Sequence, residues 1–160
     1  MERLWAPWRL EYIERAPDDG RCIFCSPEEE LLVHRGEAAL VLLNKFPYAS
    51  AHVMVAPVRH VGRYDELTDA EAREIHRLTM ASIAALEAEY RPHGFNLGWN
   101  LGRVAGAGIV DHVHQHVVPR WGGDTNFMPV LADTKVLPEA LVESARRLRA
   151  AWPRSRSGGA

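Results

Sequence analysis

The sequence predicts an α+β domain in which an antiparallel sheet carries one long central helix and a C-terminal helix. Two observations carry that prediction. Short apolar runs separated by turn residues fill the chain before residue 60, as in hairpins. A single capping box then opens one long stretch of helical periodicity.

The elements follow in order. Residues 1–20 form an N-terminal arm with Trp5, Trp8 and Tyr12, closed by the turn Pro17-Asp18-Asp19-Gly20. Its aromatics are expected to pack on the domain or on a partner subunit. A single domain is expected over 21–152. Leu31-Leu32-Val33-His34 and Ala38-Ala39-Leu40-Val41-Leu42-Leu43 flank a turn at Gly36 and read as a hairpin. Lys45–Ala49 is a loop, and His52-Val53-Met54-Val55-Ala56-Pro57 is a third strand stopped by its proline. Thr68-Asp69-Ala70-Glu71 caps a helix expected to reach Tyr90, with Ile75, Leu78, Ile83, Leu86 and Tyr90 on one face. Pro92 and Gly94 end it. Gly94–Asn100 reads as a strand, Gly102–Gly108 as a glycine-rich loop, and His112–Val118 as another strand. Pro138 is expected in the first turn of the C-terminal helix, whose inner stripe holds Leu141, Ala145 and Leu148. Residues 153–160 bury nothing and form a disordered tail.

Composition narrows the function. The 160 residues are 47% hydrophobic and 25% charged, which excludes intrinsic disorder, collagen and coiled coil. A net charge of -2 disfavours a general nucleic-acid binder. No apolar run approaches the roughly 20 residues that span a bilayer, and the N-terminus has no signal-peptide core. A cytoplasmic chain is therefore expected, without membrane or nucleic-acid partners. The 2 cysteines are not a secreted disulfide framework.

The strongest chemical signal is His112-Val113-His114-Gln115-His116-Val117-Val118-Pro119. On a strand the three histidines share one face. Buried imidazoles each need a partner, so such a row is a poor core and a good receptor for phosphate or metal. The plain alternative, a solvated strand face, suits one histidine better than three. The second signal is Cys22-Ile23-Phe24-Cys25, either a pair of reduced core thiols or half of a zinc site. Ligands to complete the site are open among His34, His52, His60, His76, His93 and the strand histidines.

At these residues the chain resembles the histidine triad (HIT) family of nucleotide hydrolases and transferases. The family's motif alternates histidine with apolar residues, and His112–Val118 fits it with Gln115 at one apolar position. The resemblance covers nearly the whole chain. It includes the Cys22–Cys25 knuckle, Val41–Pro47 through His52–His60, and Asn96–Gly102. The stretch Pro119–Phe127 is similar to a bacterial, zinc-carrying branch that includes diadenosine tetraphosphate phosphorylases.

The resemblance implies a HIT-like fold, commonly a homodimer sharing one continuous sheet. It implies His114 as nucleophile and His116 as the residue that contacts phosphate and assists the leaving group. It implies a structural zinc held by Cys22, Cys25, His60 and His112. The position of Asn44 contacts ribose in the family, and that of Asn100 contacts phosphate. Many relatives carry Gln and a hydroxyl residue before the triad, where this chain has Ala105–Asp111. Backbone N–H groups at Gly106 and Gly108 then have to serve as phosphate donors, which glycine permits.

The expected reaction is cleavage of a dinucleoside polyphosphate at its α-phosphate through a nucleotidyl-histidine, with water or phosphate as acceptor. The scheme requires no catalytic metal. Alternatives are a nucleoside phosphoramidate hydrolase and a non-catalytic, zinc-stabilised nucleotide-binding module. A zinc hydrolase with three strand ligands is disfavoured: same-face neighbours stand about 7 Å apart, too far to close on one ion.

Overall fold

The computed structural model of the chain describes residues 21–124 and 139–153. The expected arm at 1–20, Pro138 and the tail from 154 lie outside the described residues. Among the described residues five strands are formed: β1 Leu32–Arg35, β2 Ala39–Leu43, β3 Val53–Pro57, β4 Gly94–Trp99 and β5 Gln115–Arg120. Among the same residues two α-helices accompany them, α1 Asp69–Tyr90 and α2 Leu141–Ala151. Every strand pairs antiparallel, in the order β1-β2-β3-β5-β4. This is the α+β architecture that the sequence predicts.

β2 and β3 lie inside the sheet and are buried along their whole length, so they read as unbroken apolar runs. α1 and α2 pack over β1, β2 and β3, and α1 also reaches β5. Leu40, Leu43, Leu78, Leu86 and Leu148 fill the interior between them. α1 opens on the expected capping box: the Thr68 hydroxyl accepts from the Glu71 N–H, and the Glu71 carboxylate accepts from the Thr68 N–H. Glu71 also takes Arg59 Nε and Nη2, which pins the segment after β3 to the start of the helix. Those bonds hold the Glu71 carboxyl down at about 2, with the Arg59 guanidinium the largest cause.

Two boundaries differ from expectation. The strand bearing the triad begins at Gln115, not at His112. β3 offers partners only from Val53 to Val55, opposite Val117 to Gln115. Upstream, the Val113 N–H bonds instead to the Val61 carbonyl at 2.8 Å, beyond the end of β3. His112 and His114 therefore sit on an extended lead-in and only His116 sits in the ladder. The C-terminal helix starts at Leu141, three residues after Pro138, with Ala140 at its N-cap and no side-chain cap. Leu148 and Ala145 are buried on its inner stripe as expected.

Within β5, side chains alternate. The Gln115 side-chain Oε1 lies 2.6 Å from the Thr79 hydroxyl of α1 and accepts from it. Gln115 thus points to the helices, and its neighbour His116 points to the opposite face. Among the described residues no helix is long and apolar enough to cross a membrane.

Candidate active site

The knuckle comes first. Cys25 and Ser26 N–H groups both bond to the Cys22 carbonyl, at 3.1 and 3.0 Å, curling the chain so that both thiols face one way. Cys22 Sγ lies 3.2 Å from His112 Nδ1, and Cys25 Sγ lies 3.2 Å from His60 Nδ1 and 3.7 Å from His112 Nδ1. All four ligand atoms lie within 4.8 Å of one another, and this is the metal-capable cluster found among the described residues. Donors around a tetrahedral zinc stand about 3.3–3.8 Å apart for bonds of 2.0–2.3 Å, so the corner fits that ion. The outer nitrogen of His112, Nε2, lies 2.8 Å from the Pro57 carbonyl and donates to it. That bond leaves the lone pair on Nδ1, toward the thiols, in the manner of an outer-shell support. Burial, and then the neighbouring Cys22, push the Cys25 thiol up. A cation at the centre would remove that penalty by holding both sulfurs as thiolates.

His114 follows. Its Nδ1 lies 2.8 Å from the His112 carbonyl, an acceptor only, so Nδ1 carries the proton and Nε2 keeps the lone pair. The residue is 5% exposed, and burial lowers its pKa, which keeps the ring neutral near pH 7. A neutral imidazole with a fixed tautomer is the form that attacks phosphorus.

His116 has a different partner. The Tyr48 N–H donates to His52 Nδ1 at 3.1 Å, so the His52 proton sits on Nε2. His52 Nε2 lies 3.0 Å from His116 Nδ1 and donates to it. The His116 proton is then on Nε2, which faces Asn100 Nδ2 at 3.4 Å. Donor facing donor is the arrangement an anionic oxygen between them relieves. Tyr48 stacks on His52 at 4.9 Å and 18°, covering this pair.

The remaining candidates fall nearby. The Asn44 N–H bonds to the His52 carbonyl at 2.8 Å, which ties it to the same corner. Its Oδ1 accepts from the Phe46 N–H at 2.9 Å, a turn that leaves the amide NH2 as its donor outward. The Gly106 N–H closes a 3-10 turn on the Arg103 carbonyl at 2.9 Å, and its φ of 89° requires glycine. Gly106 therefore shapes the loop with its backbone, while its carbonyl lies 3.5 Å from Asn100 Nδ2. Gly108 is exposed on the same loop. His34, His76 and His93 lie elsewhere: His34 stacks on Trp152, His76 is exposed on α1, and His93 Nδ1 accepts from the Gly122 N–H.

Sequence reasoning treated His52 only as one of several metal candidates. The structure gives it to His116 instead. The readable signal was position: His52 heads the strand that pairs with β5, two residues from the partner of His116, Met54.

Comparison with known proteins places these features in a group. The HIT domain family model matches residues 27–123. An AP-4-A phosphorylase of Mycobacterium tuberculosis is 40% identical over 167 aligned residues, which cover 96% of this chain and 86% of the relative. A HIT-like protein of Methanocaldococcus jannaschii is 34% identical over 109 residues, 64% of this chain and 81% of its own. Among solved structures, a Zn-bound histidine triad family protein from Mycobacterium smegmatis is similar at TM-score 0.66 and 25% identity, over 82% of this chain and 93% of its own. A histidine triad nucleotide-binding protein from Sulfolobus tokodaii matches at TM-score 0.66 and 26% identity, over 81% and 91%.

Proposed function

The chain belongs to the HIT domain family, and we propose that it cleaves dinucleoside polyphosphates, diadenosine tetraphosphate foremost, through a nucleotide carried on His114. The observation that carries this reading is the bond from His114 Nδ1 to the His112 carbonyl, which directs the Nε2 lone pair away from the backbone. The activity named for the mycobacterial relative supports the substrate class.

The Nε2 lone pair of His114 forms a bond to the α-phosphorus, and the bond from that phosphorus to the bridging oxygen breaks. The bridging oxygen leaves with its electron pair and takes a proton from His116 Nε2. Asn100 and the loop N–H groups, Gly108 among them, hold the phosphoryl oxygens as their charge grows. Throughout, the proton stays on His114 Nδ1 and is donated to the His112 carbonyl, so the imidazolium formed is held in place. An oxygen of inorganic phosphate, or of water, then attacks the phosphorus, and the bond to Nε2 breaks with its pair returning to His114. With diadenosine tetraphosphate the first step releases ATP and the second gives ADP with phosphate, or AMP with water. Asn44 contributes its amide donor to the ribose.

Cys22, Cys25, His60 and His112 would hold a structural zinc. Four protein ligands leave no open coordination position, so the ion contributes rigidity. Two thiols held by metal rather than bridged suit a cytoplasmic protein. A homodimer through β4 suits the outer position of that strand, with Leu97 48% and Leu101 51% exposed beside it.

The test is product analysis with diadenosine tetraphosphate, with and without inorganic phosphate. ADP plus ATP appearing only with phosphate is the expected result. AMP plus ATP regardless of phosphate would make the acceptor water, and intact substrate in both would end the reading. Light scattering of the full chain checks the dimer.

A further inference from the structure

The knuckle carries a residue whose role neither the metal nor the chemistry has absorbed. Phe24 lies between the two cysteines in sequence, and it is 0% exposed and part of the hydrophobic core. Its ring centroid lies 5.0 Å from that of His112, tilted 50°, and 4.9 Å from that of His114, tilted 35°. One aromatic ring therefore touches both a ligand of the metal corner and the attacking residue.

The His114 ring has three supports. One is the hydrogen bond from Nδ1 to the His112 carbonyl. One is the edge of His116, at 4.9 Å and 74°. The third is Phe24, the one the metal knuckle carries. The hydrogen bond fixes which nitrogen points outward, but it leaves the ring free to rock about that bond. Contact with an aromatic face removes this freedom, and in-line attack needs the lone pair aimed at phosphorus within a narrow cone. Among the described residues the knuckle closes on itself through the Cys25 and Ser26 N–H groups, which donate to the Cys22 carbonyl. It meets the sheet through the Cys22 and Cys25 contacts to His112 and His60, through buried Phe24, and through Cys22 and Ile23 packed on the core.

We propose that Phe24 is a positioning residue for His114, through which occupancy of the Cys22, Cys25, His60 and His112 corner sets the alignment of the nucleophile. The inference rests on His114 being the nucleophile and on that corner holding metal. A residue that merely filled the core would lower stability when trimmed and leave the chemical step of the folded enzyme unchanged.

The zinc-loaded full chain and its Phe24→Leu variant are compared by rapid quench with α-labelled diadenosine tetraphosphate. In the variant the labelled His114 adduct should form roughly 10- to 100-fold more slowly, with KM within twofold and zinc content unchanged. Chelating zinc from the wild-type chain should slow adduct formation by a similar factor. A second readout needs no turnover: Zn2+ is titrated into the metal-free chain while the imidazole 15N–1H signals are followed. In wild type the His112 and His114 signals should both respond; in Phe24→Leu only those of His112 should. An adduct formed at the wild-type rate by Phe24→Leu, or after chelation, overturns the inference. So does a full His114 response in the variant, which would route the coupling through the His112 carbonyl. Should Phe24→Leu not fold, Phe24→Met takes its place in both measurements, with the same outcomes deciding. If wild type forms no adduct on His114, the reading beneath the inference fails instead.

Discussion

The metal corner and the His52–His116 pair are both built from histidine, lie on either side of His114, and use the same ring in opposite ways. In the corner, His112 gives its Nε2 proton to a carbonyl and keeps a lone pair for a cation. In the pair, His116 accepts a hydrogen bond at Nδ1 from His52 and keeps its Nε2–H for an anion. His114, between them, gives its Nδ1 proton to a carbonyl and keeps a lone pair for phosphorus. On the proposed reading, the second-nitrogen partner separates the donor His116, bonded to His52, from His112 and His114, both bonded to carbonyls; the nitrogen left bare, Nδ1 on His112 and Nε2 on His114, then separates ligand from nucleophile.

The sharpest way to break this comparison is at its centre. His114→Ala should lose the labelled adduct and at least about 10³-fold in turnover, while zinc content and melting temperature hold. If turnover survived, the lone pair that matters would lie elsewhere. Removing the second-nitrogen partner of His116 comes next. His52→Ala should lower kcat by about 10²-fold with zinc content intact, because His116 loses the bond that fixes its donor tautomer. An unchanged kcat would show that His116 holds its proton without help.

Breaking the other side should lower stability together with the rate of adduct formation. Cys22→Ser should abolish stoichiometric zinc and lower the melting temperature by on the order of 10 °C. A variant that kept its melting temperature while losing turnover in proportion would reverse the assignment of that corner. Smaller still is Asn44→Leu. Nucleotide binding should weaken about tenfold by calorimetry, with plain phosphate binding unchanged, since one amide donor to ribose is lost.

The smallest effect concerns how the corner is braced. Arg59, beside His60, is held by Glu71, whose carboxyl sits at about 2 against an ordinary 4.5. A depressed carboxyl contributes its full stabilisation above the ordinary value and loses it as pH falls toward about 2. Acid titration of the melting temperature should therefore show a steeper fall between those values in wild type than in Glu71→Gln.

Much of this was legible in the chain. The helix from Thr68 to Tyr90 carries its own start signal and periodicity, and both survive in the structure because they are local. The two buried strands announced themselves as apolar runs. The start of β5 did not, because β3 pairs with it only from Val53 to Val55 and goes on to Pro57 paired with β2 alone. The first residue of the C-terminal helix was not readable either: the helix begins at Leu141 after Ala140, with no side-chain cap to mark it. The histidine motif and the knuckle pointed to the site, but the tautomers rest on Pro57, Tyr48 and His52, contacts that only tertiary packing creates. His52 was missed because its work depends on a residue 64 positions away.

The knuckle's reach along the chain also bears on synthesis. Cys22 meets His112 across 90 residues, whereas Cys25 meets His60 across 35. On a ribosome adding about 5–20 residues per second, both thiols and His60 emerge roughly 3–10 s before His112. A nascent chain can thus offer three ligands to an ion, with water in the fourth position, before β5 exists. With zinc held as proposed, the arrival of His112 would complete the ligand set and, in the same movement, set the residue two places on beside the knuckle. Closing so long a loop through the ion would remove chain entropy from the unfolded ensemble, so the last ligand to be translated would tighten the fold.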